Sequence, residues 1–142
     1  MELLKQLIEA QQFEEARKRL CALAKTVTDY TDFLTLCRWR SRFTELGPKV
    51  EELKVIRIAL LGGATTEMLE APLALSVEAL GLGCHIYQSE YNTFSQEMLD
   101  PNSATSEFRP EVAIVVSTPA NLPSWPTPDD NLERVCQLVD EA

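Results

Sequence analysis

The chain has 142 residues, 45% of them hydrophobic and 25% charged, with a formal net charge of −9. That length supports one ordinary core with room for a small appended element, and the acidic balance lacks the electrostatic footprint of a nucleic-acid or anionic-lipid binder. The apolar runs are strand-sized, so none can span a bilayer, and the opening MELLKQLIEAQQ lacks a signal-peptide pattern, which makes cytoplasm the expected compartment.

The first stretch reads as helices. Leu3, Leu4, Leu7 and Ile8 form a short apolar stripe, and Phe13, Ala16, Leu20 and Leu23 continue at three-to-four spacing after Gln11-Gln12. FEEARKRLCALA has the look of the second helix of a helical hairpin. Asp29 or Thr31 can cap the next helix, on which Leu36, Trp39, Phe43 and Leu46 share a face, and Gly47-Pro48 ends it. Charge marks a boundary just beyond. Up to Leu53 there are nine basic and nine acidic residues; from Lys54 onward there are four basic and thirteen acidic.

From Lys54 the pattern alternates in type. KVIRIALL is a buried-strand run that empties into the loop Gly62-Gly63-Ala64-Thr65-Thr66, and a helix follows to about Leu80, kinked or divided by Pro72. Gly81-Leu82-Gly83 ends that helix and Cys84 to Tyr87 is a short strand. A long polar stretch contains the helix-like TFSQEML and a turn at Asp100-Pro101-Asn102. Then EVAIVVS reads as a parallel strand covered on both faces. A Pro-rich loop leads to a last helix beginning near Asp129-Asp130, whose acids suit a helix N-terminus.

The order βαβαβα predicts an α/β fold with right-handed crossovers and a parallel sheet of flavodoxin-like or Rossmann-like order. With three strands in a 2-1-3 arrangement, EVAIVVS lies at an edge although it is the most apolar of the three. Such an edge is a pairing hazard. The expectation is a piece of a longer protein, or an edge covered by a partner or by a second copy.

Candidate chemistry sits where the strands end. Backbone amides at a helix start are unpaired and face the crevice of an open α/β sheet, so Gly62, Gly63, Thr65 and Thr66 are candidate ligand-binding residues, for an anion in particular. The competing reading is a tight turn capped by a threonine. The loop lacks the third glycine of a dinucleotide fingerprint and the lysine of a P-loop. Serine hydrolases of the GDS type read LGDSIT here, whereas this chain reads Leu61-Gly62-Gly63-Ala64-Thr65-Thr66, with alanine in the place of the serine and no Asp-x-x-His anywhere. Aspartyl-phosphate chemistry needs an aspartate at a strand end, and none is present.

Glu90, Tyr91 and Asn92, just past the second strand, are further ligand candidates at the crevice mouth. The alternative is that Asn92 or Thr93 caps the next helix while Tyr91 packs over the sheet end. Arg38, Arg40 and Arg42 form a basic cluster in an acidic protein. They are candidate contacts for an acidic helix such as that of an acyl carrier protein, against the plainer reading of a solvated face with Trp39 in the core. The cysteines Cys21, Cys37, Cys84 and Cys136 are scattered, and Cys84 and His85 are strand neighbours that point to opposite faces. No metal site is expected; the thiols read as reduced and mostly buried.

Together KVIRIALLGGATTEML, HIYQSEYNTFSQEMLDPNS and FRPEVAIVVST resemble the N-terminal region of FkbH-like proteins, bacterial glyceryl transferase/phosphatases of polyketide biosynthesis. The resemblance covers Lys54 to about Ser124, and its specific part is Y-x-S-E-Y-N-x-[FY]-x-Q-E-[ML]-L-D-P-x-S. It implies an SGNH-hydrolase-like domain without its catalytic serine, preceding a domain of the haloacid-dehalogenase (HAD) superfamily. That second domain takes a glyceryl phosphate group from 1,3-bisphosphoglycerate, removes phosphate and loads the glyceryl unit onto a carrier-protein thiol. The family's DxDxT motif, Mg²⁺ ligands and acyl-carrying cysteine have no counterpart among these residues.

The expectation is therefore a three-layer flavodoxin/SGNH-like parallel sheet of about three strands. Residues 1–50 form a helical N-terminal unit and 51–142 a partial SGNH-like α/β domain, truncated at its C-terminus. No residue of this chain is expected to be catalytic and no cofactor is expected in it, with Mg²⁺ confined to the catalytic domain. The expected partners are an acyl carrier protein or that catalytic domain, or a second copy through the third strand, with neither nucleic acid nor membrane. The other functional readings are a free-standing interaction module and a small-anion-binding domain.

Overall fold

The computed structural model describes residues 2–46, 53–118, 121 and 126–140. Three helices come first, α1 (Glu2–Glu9), α2 (Phe13–Ala24) and α3 (Tyr30–Leu46). They are followed by β1 (Val55–Gly62), α4 (Glu67–Ala79), β2 (Gly83–Gln88), α5 (Phe94–Leu99), α6 (Ala104–Phe108), β3 (Val112–Val116) and α7 (Leu132–Asp140). The three strands form one parallel sheet in the order β2-β1-β3, with helices on both sides, as the alternating pattern predicts. No helix among the described residues is long and apolar enough to cross a membrane.

The central strand explains the layering. Ile58, Ala59, Leu60 and Leu61 are all buried. Successive strand residues point to opposite faces, so both faces of β1 are covered. Helix α4 supplies one cover with Ala74, Leu75, Val77 and Ala79, and it also receives α2 and α3, with α1 packed on α2. Leu4, Leu20, Leu36, Cys37 and Leu75 make one buried cluster, with Phe33, Trp39 and Phe43 packed against it. The N-terminal helices thus share a core with the helix that covers the sheet. The predicted boundary near residue 50, and the Gly47-Pro48 stop, lie outside the described residues.

An ion-pair triad joins α2, α3 and α4. Glu78, near the end of α4, takes Arg40 Nε at 2.8 Å and Arg40 Nη2 at 2.7 Å on its Oε1, and Arg17 Nη2 at 3.5 Å on its Oε2. The Glu78 side chain is only 13% exposed. The sulfhydryl of Cys21 donates to the backbone carbonyl of Glu78 at 3.6 Å.

Several local expectations shift in detail. Asp29 caps α3, its Oδ1 accepting the Asp32 amide at 3.0 Å, while Thr31 lies inside the helix. Leu46 is 62% exposed and leaves the shared face to Cys37, which is buried. Pro72 sits inside an undivided α4, because a proline in the second turn removes one ladder bond and leaves the rest intact. Helix α6 had no periodicity to betray it over five residues; it is set by Ser103, whose hydroxyl accepts the Ser106 amide. The last helix starts after Asn131, whose side chain accepts the Arg134 amide at 2.8 Å, while Asp130 binds Thr127 instead.

Strand β3 is the main correction. It lies at the edge, as the 2-1-3 order requires, but it is not covered on both faces: Val112 is 44% and Val115 42% exposed. Its uninterrupted apolar run signalled a parallel strand. How much of that strand is covered depends on neighbours, and among the described residues β3 pairs with β1 alone.

Candidate functional site at the carboxyl ends of the strands

Three loops converge where the parallel strands end, and one asparagine fastens them. Asn121 Nδ2 donates to the Gly63 carbonyl at 2.9 Å and to Asn92 Oδ1 at 2.9 Å. Its Oδ1 accepts the Thr118 amide at 2.7 Å and the Thr118 hydroxyl at 3.0 Å. Both hydrogens and both lone pairs of that carboxamide are therefore engaged within the protein. The amide of Asn92 donates to the Gly62 carbonyl at 3.1 Å, which ties the loop after β2 directly to the loop after β1. Asn92 has φ of 58°, a left-handed conformation that asparagine tolerates better than most residues.

The two glycines are there for close approach. A Cβ on Gly62 would stand 2.6 Å from both the Ala64 carbonyl oxygen and Thr66 Cγ2, and a Cβ on Gly63 would overlap the Asn121 carboxamide. Their amides are also used: Gly62 donates to Ser89 Oγ at 3.1 Å and Gly63 to the Val116 carbonyl at 2.9 Å. Thr66 is buried at the cap position of α4, but its side chain makes no capping bond; it packs against Gly62. Thr65 is exposed. The first turn of α4 carries Glu67 and Glu70, whose charge already complements the positive end of the helix.

Past β2, Glu90 and Tyr91 are exposed, Tyr91 at 72%. Neither Asn92 nor Thr93 gives α5 a side-chain cap: the Thr93 hydroxyl donates back to the Glu90 carbonyl at 2.9 Å. Tyr91 does not pack over the sheet end. The tyrosine that packs against a ring is Tyr87 of β2, with Phe108 at 5.6 Å between ring centroids. Its hydroxyl donates to Glu97 Oε1 at 2.7 Å, while Thr105 gives its amide (3.0 Å) and hydroxyl (2.8 Å) to Glu97 Oε2. Burial, together with the bond to Glu97, pushes the Tyr87 phenol up to about 12. For Glu97, burial acts to raise its pKa, but the hydrogen bonds from Tyr87 and Thr105 outweigh it and hold the carboxyl below its ordinary value. Ser103 donates to the Glu97 carbonyl at 2.7 Å, and Asp100 accepts the Asn102 amide at 2.8 Å in the turn the sequence predicts.

The cluster has the placement of an active site in an open α/β sheet. The side chains that meet at the strand ends are the hydroxyls and carboxamides of Ser89, Asn92, Thr118 and Asn121, and no imidazole or carboxylate stands beside them as a base among the described residues. A hard divalent cation such as Mg²⁺ needs several oxygen ligands, usually including carboxylates. Among the described residues no group of three or more His, Cys, Asp or Glu is placed to hold a metal. Burial pushes the thiols of Cys21, Cys37 and Cys84 up, away from the reactive thiolate.

The candidate residues thus fall into separate places. Gly62, Gly63 and Asn92 are brought together, with Thr66 beneath them, while Thr65, Glu90 and Tyr91 stay at the exposed rim. Ser89, Thr118 and Asn121 complete the cluster. Asn121 lies just past the third parallel strand, a position that marks crevice residues in open α/β sheets. The basic cluster divides as well: Arg40 turns inward to Glu78, and Arg38 and Arg42 remain on the exposed face of α3.

Fold and site define an α/β scaffold with a three-stranded parallel sheet whose strand-end loops are hydrogen-bonded to one another. One solved structure is similar, the crystal structure of the N-terminal part of the protein BF1531 from Bacteroides fragilis, containing a phosphatase domain complexed with Mg. The two align with a TM-score of 0.51 and 23% sequence identity over 57% of this chain and 21% of that one. The likeness establishes a shared fold over the aligned residues, and the match spans about a fifth of the chain in that structure. No protein-family model matches the sequence, and no curated protein matches it.

Proposed function

We propose that this chain is the non-catalytic N-terminal region of an FkbH-like enzyme, which loads a glyceryl unit from 1,3-bisphosphoglycerate onto an acyl carrier protein. In this reading the α/β layer is a scaffold beside a phosphatase-type domain that holds the Mg²⁺ and the acyl-carrying thiol. The observation that carries the reading is the strand-end cluster. Ala64 stands where a GDS-type hydrolase has its serine, and the neighbouring polar groups bind one another. Two further points support it. The string from Tyr87 to Ser103 resembles that family, and the N-terminal part of BF1531, to which the fold is similar, contains a phosphatase domain.

The test supplies the chain, joined to the catalytic domain of an FkbH-like protein, with 1,3-bisphosphoglycerate and carrier protein, and follows glyceryl loading by intact-protein mass spectrometry. Loading should depend on the catalytic cysteine of the joined domain and should survive Thr65→Ala unchanged. The isolated chain should hydrolyse no activated ester. Ester turnover by the chain alone that disappears in Thr65→Ala would sink the scaffold reading.

A further inference from the structure

We infer that the exposed face of α3 is a docking groove for an acidic helix of another protein, with Arg38, Arg42 and Trp39 as its contacts and Arg40 excluded. A cleft of about 350 Å³ opens on this face, lined by Thr35, Arg38, Trp39 and Arg42. The Arg42 guanidinium lies over the Trp39 ring at 5.4 Å from its centroid, a cation–π stack that fixes the side chain without using its hydrogen-bond donors. Trp39 is half-buried and packs against the N-terminal core from beneath. One indole therefore anchors the groove to the rigid part of the molecule.

The charges supply the argument for the occupant. Arg38 and Arg42 are four residues apart on one helix face, where like charges repel. Arg40 and Arg17 are neutralised by Glu78 and Lys18 by Glu14, whereas neither Arg38 nor Arg42 has an ion-pair partner among the described residues. Two unpaired guanidiniums one helical turn apart, in a chain of net charge −9, match a partner with two carboxylates at the same spacing. Beside them the part of the indole that lines the cleft offers apolar area to an aliphatic side chain. Remote acids of the chain are screened beyond roughly 8 Å at physiological salt; on α3 itself the nearest acid is Glu45, three residues past Arg42 along the helix and on the side of it away from Arg38. A helix carrying Glu at i and i+4 with a Leu between them in projection fits this pattern. The inference does not rest on glyceryl loading and stands or falls separately from it.

The probe is a synthetic amphipathic helical peptide with glutamates four residues apart flanking a leucine stripe, titrated into the whole chain while backbone and indole amide shifts are recorded. A second peptide with lysines at the glutamate positions is the control. Binding should shift signals from Thr35 to Arg42 and the Trp39 indole, should weaken as salt is raised, and should be absent for the lysine peptide. Arg38→Glu with Arg42→Glu should weaken binding at least tenfold with the helical circular-dichroism signal retained, because both side chains are exposed and only the Arg42 stack on Trp39 is lost. Arg38→Lys with Arg42→Lys should retain most of it. The inference is overturned by a glutamate peptide that fails to bind, by shifts confined to other elements, or by equal affinity for the charge-reversed variant.

Discussion

Glu78→Gln is the sharpest perturbation of the fold. It keeps the shape of the side chain but removes the charge that holds Arg40 and Arg17, and leaves two guanidiniums facing each other across α2, α3 and α4. Removing one partner of a fully buried pair costs about 3–5 kcal/mol, and an exposed pair about 0–1 kcal/mol. Here the Glu78 side chain is 13% exposed, Arg40 21% and Arg17 24%, so some water reaches the arginines and the expected cost is about 2–3 kcal/mol. At roughly 3–4 °C per kcal/mol for a domain of this size, the melting temperature should fall by about 6–12 °C. Urea denaturation followed by circular dichroism and by tryptophan fluorescence gives both the midpoint and the slope. Wild type and variant should each show one coincident transition, since Leu75 of α4 belongs to the same buried cluster as Leu4 and Leu20. Replacing Arg40 and Glu78 together by leucine should recover much of the loss. A Glu78→Gln cost below about 1 kcal/mol, or an N-terminal helical transition separate from that of the sheet, would refute the reasoning.

Gly63→Ala and Asn121→Ala should each cost about 1–2 kcal/mol through the same lost hydrogen bonds. The double variant should therefore cost clearly less than the sum, and additive losses in a denaturation cycle would show that the clasp is not shared. Gly62→Ala should be harsher than Gly63→Ala, because its Cβ meets the backbone oxygen of Ala64 at 2.6 Å rather than a side chain that can swing away; comparing the two midpoints decides it. Phenolate absorbance should reveal one tyrosine ionising near 12, and Tyr87→Phe should remove it. The stability held by that neutral phenol is complete below its ordinary value of 10.0 and is lost as pH rises through 12. Glu97 works in the opposite direction: its contribution is present above the ordinary carboxyl value of 4.5 and is lost as pH falls through its lower folded value. Glu97→Gln should therefore flatten the acid limb of the stability profile, and an unchanged limb would count against the brace.

Elements with long periods or abrupt punctuation were legible in the sequence. FEEARKRLCALA became α2 residue for residue, KVIRIALL became β1 displaced by one residue, and the alternation of types specified the parallel 2-1-3 sheet. Coverage was not legible, because burial belongs to pairs of elements. The apolar stretch of β3 announces a strand, yet its exposure depends on what lies beside it. The strand-end loops were legible as a place and not as a network. Gly62 and Gly63 advertise close approach, but the group that approaches is Asn121, fifty-eight positions away from Gly63. In the same way Arg40 looked like its neighbours Arg38 and Arg42 until packing paired it with a glutamate thirty-eight positions on.

The brace built on Tyr87, Glu97 and Thr105 bears on how relatedness is read. The string from Tyr87 to Ser103 looks like a signature of chemistry, since it is polar, aromatic and adjacent to a crevice. Most of its distinctive letters are nevertheless spent on architecture: Ser89 receives the amide of Gly62, Asn92 spans two loops, Glu97 gathers three donors, and Ser103 and Asp100 shape the next turn. Selection for a stable scaffold can keep such a string intact while the reaction served by the scaffold changes or disappears. A sequence sharing it inherits a way of fastening loops to a sheet, and its chemistry has to be read from other residues.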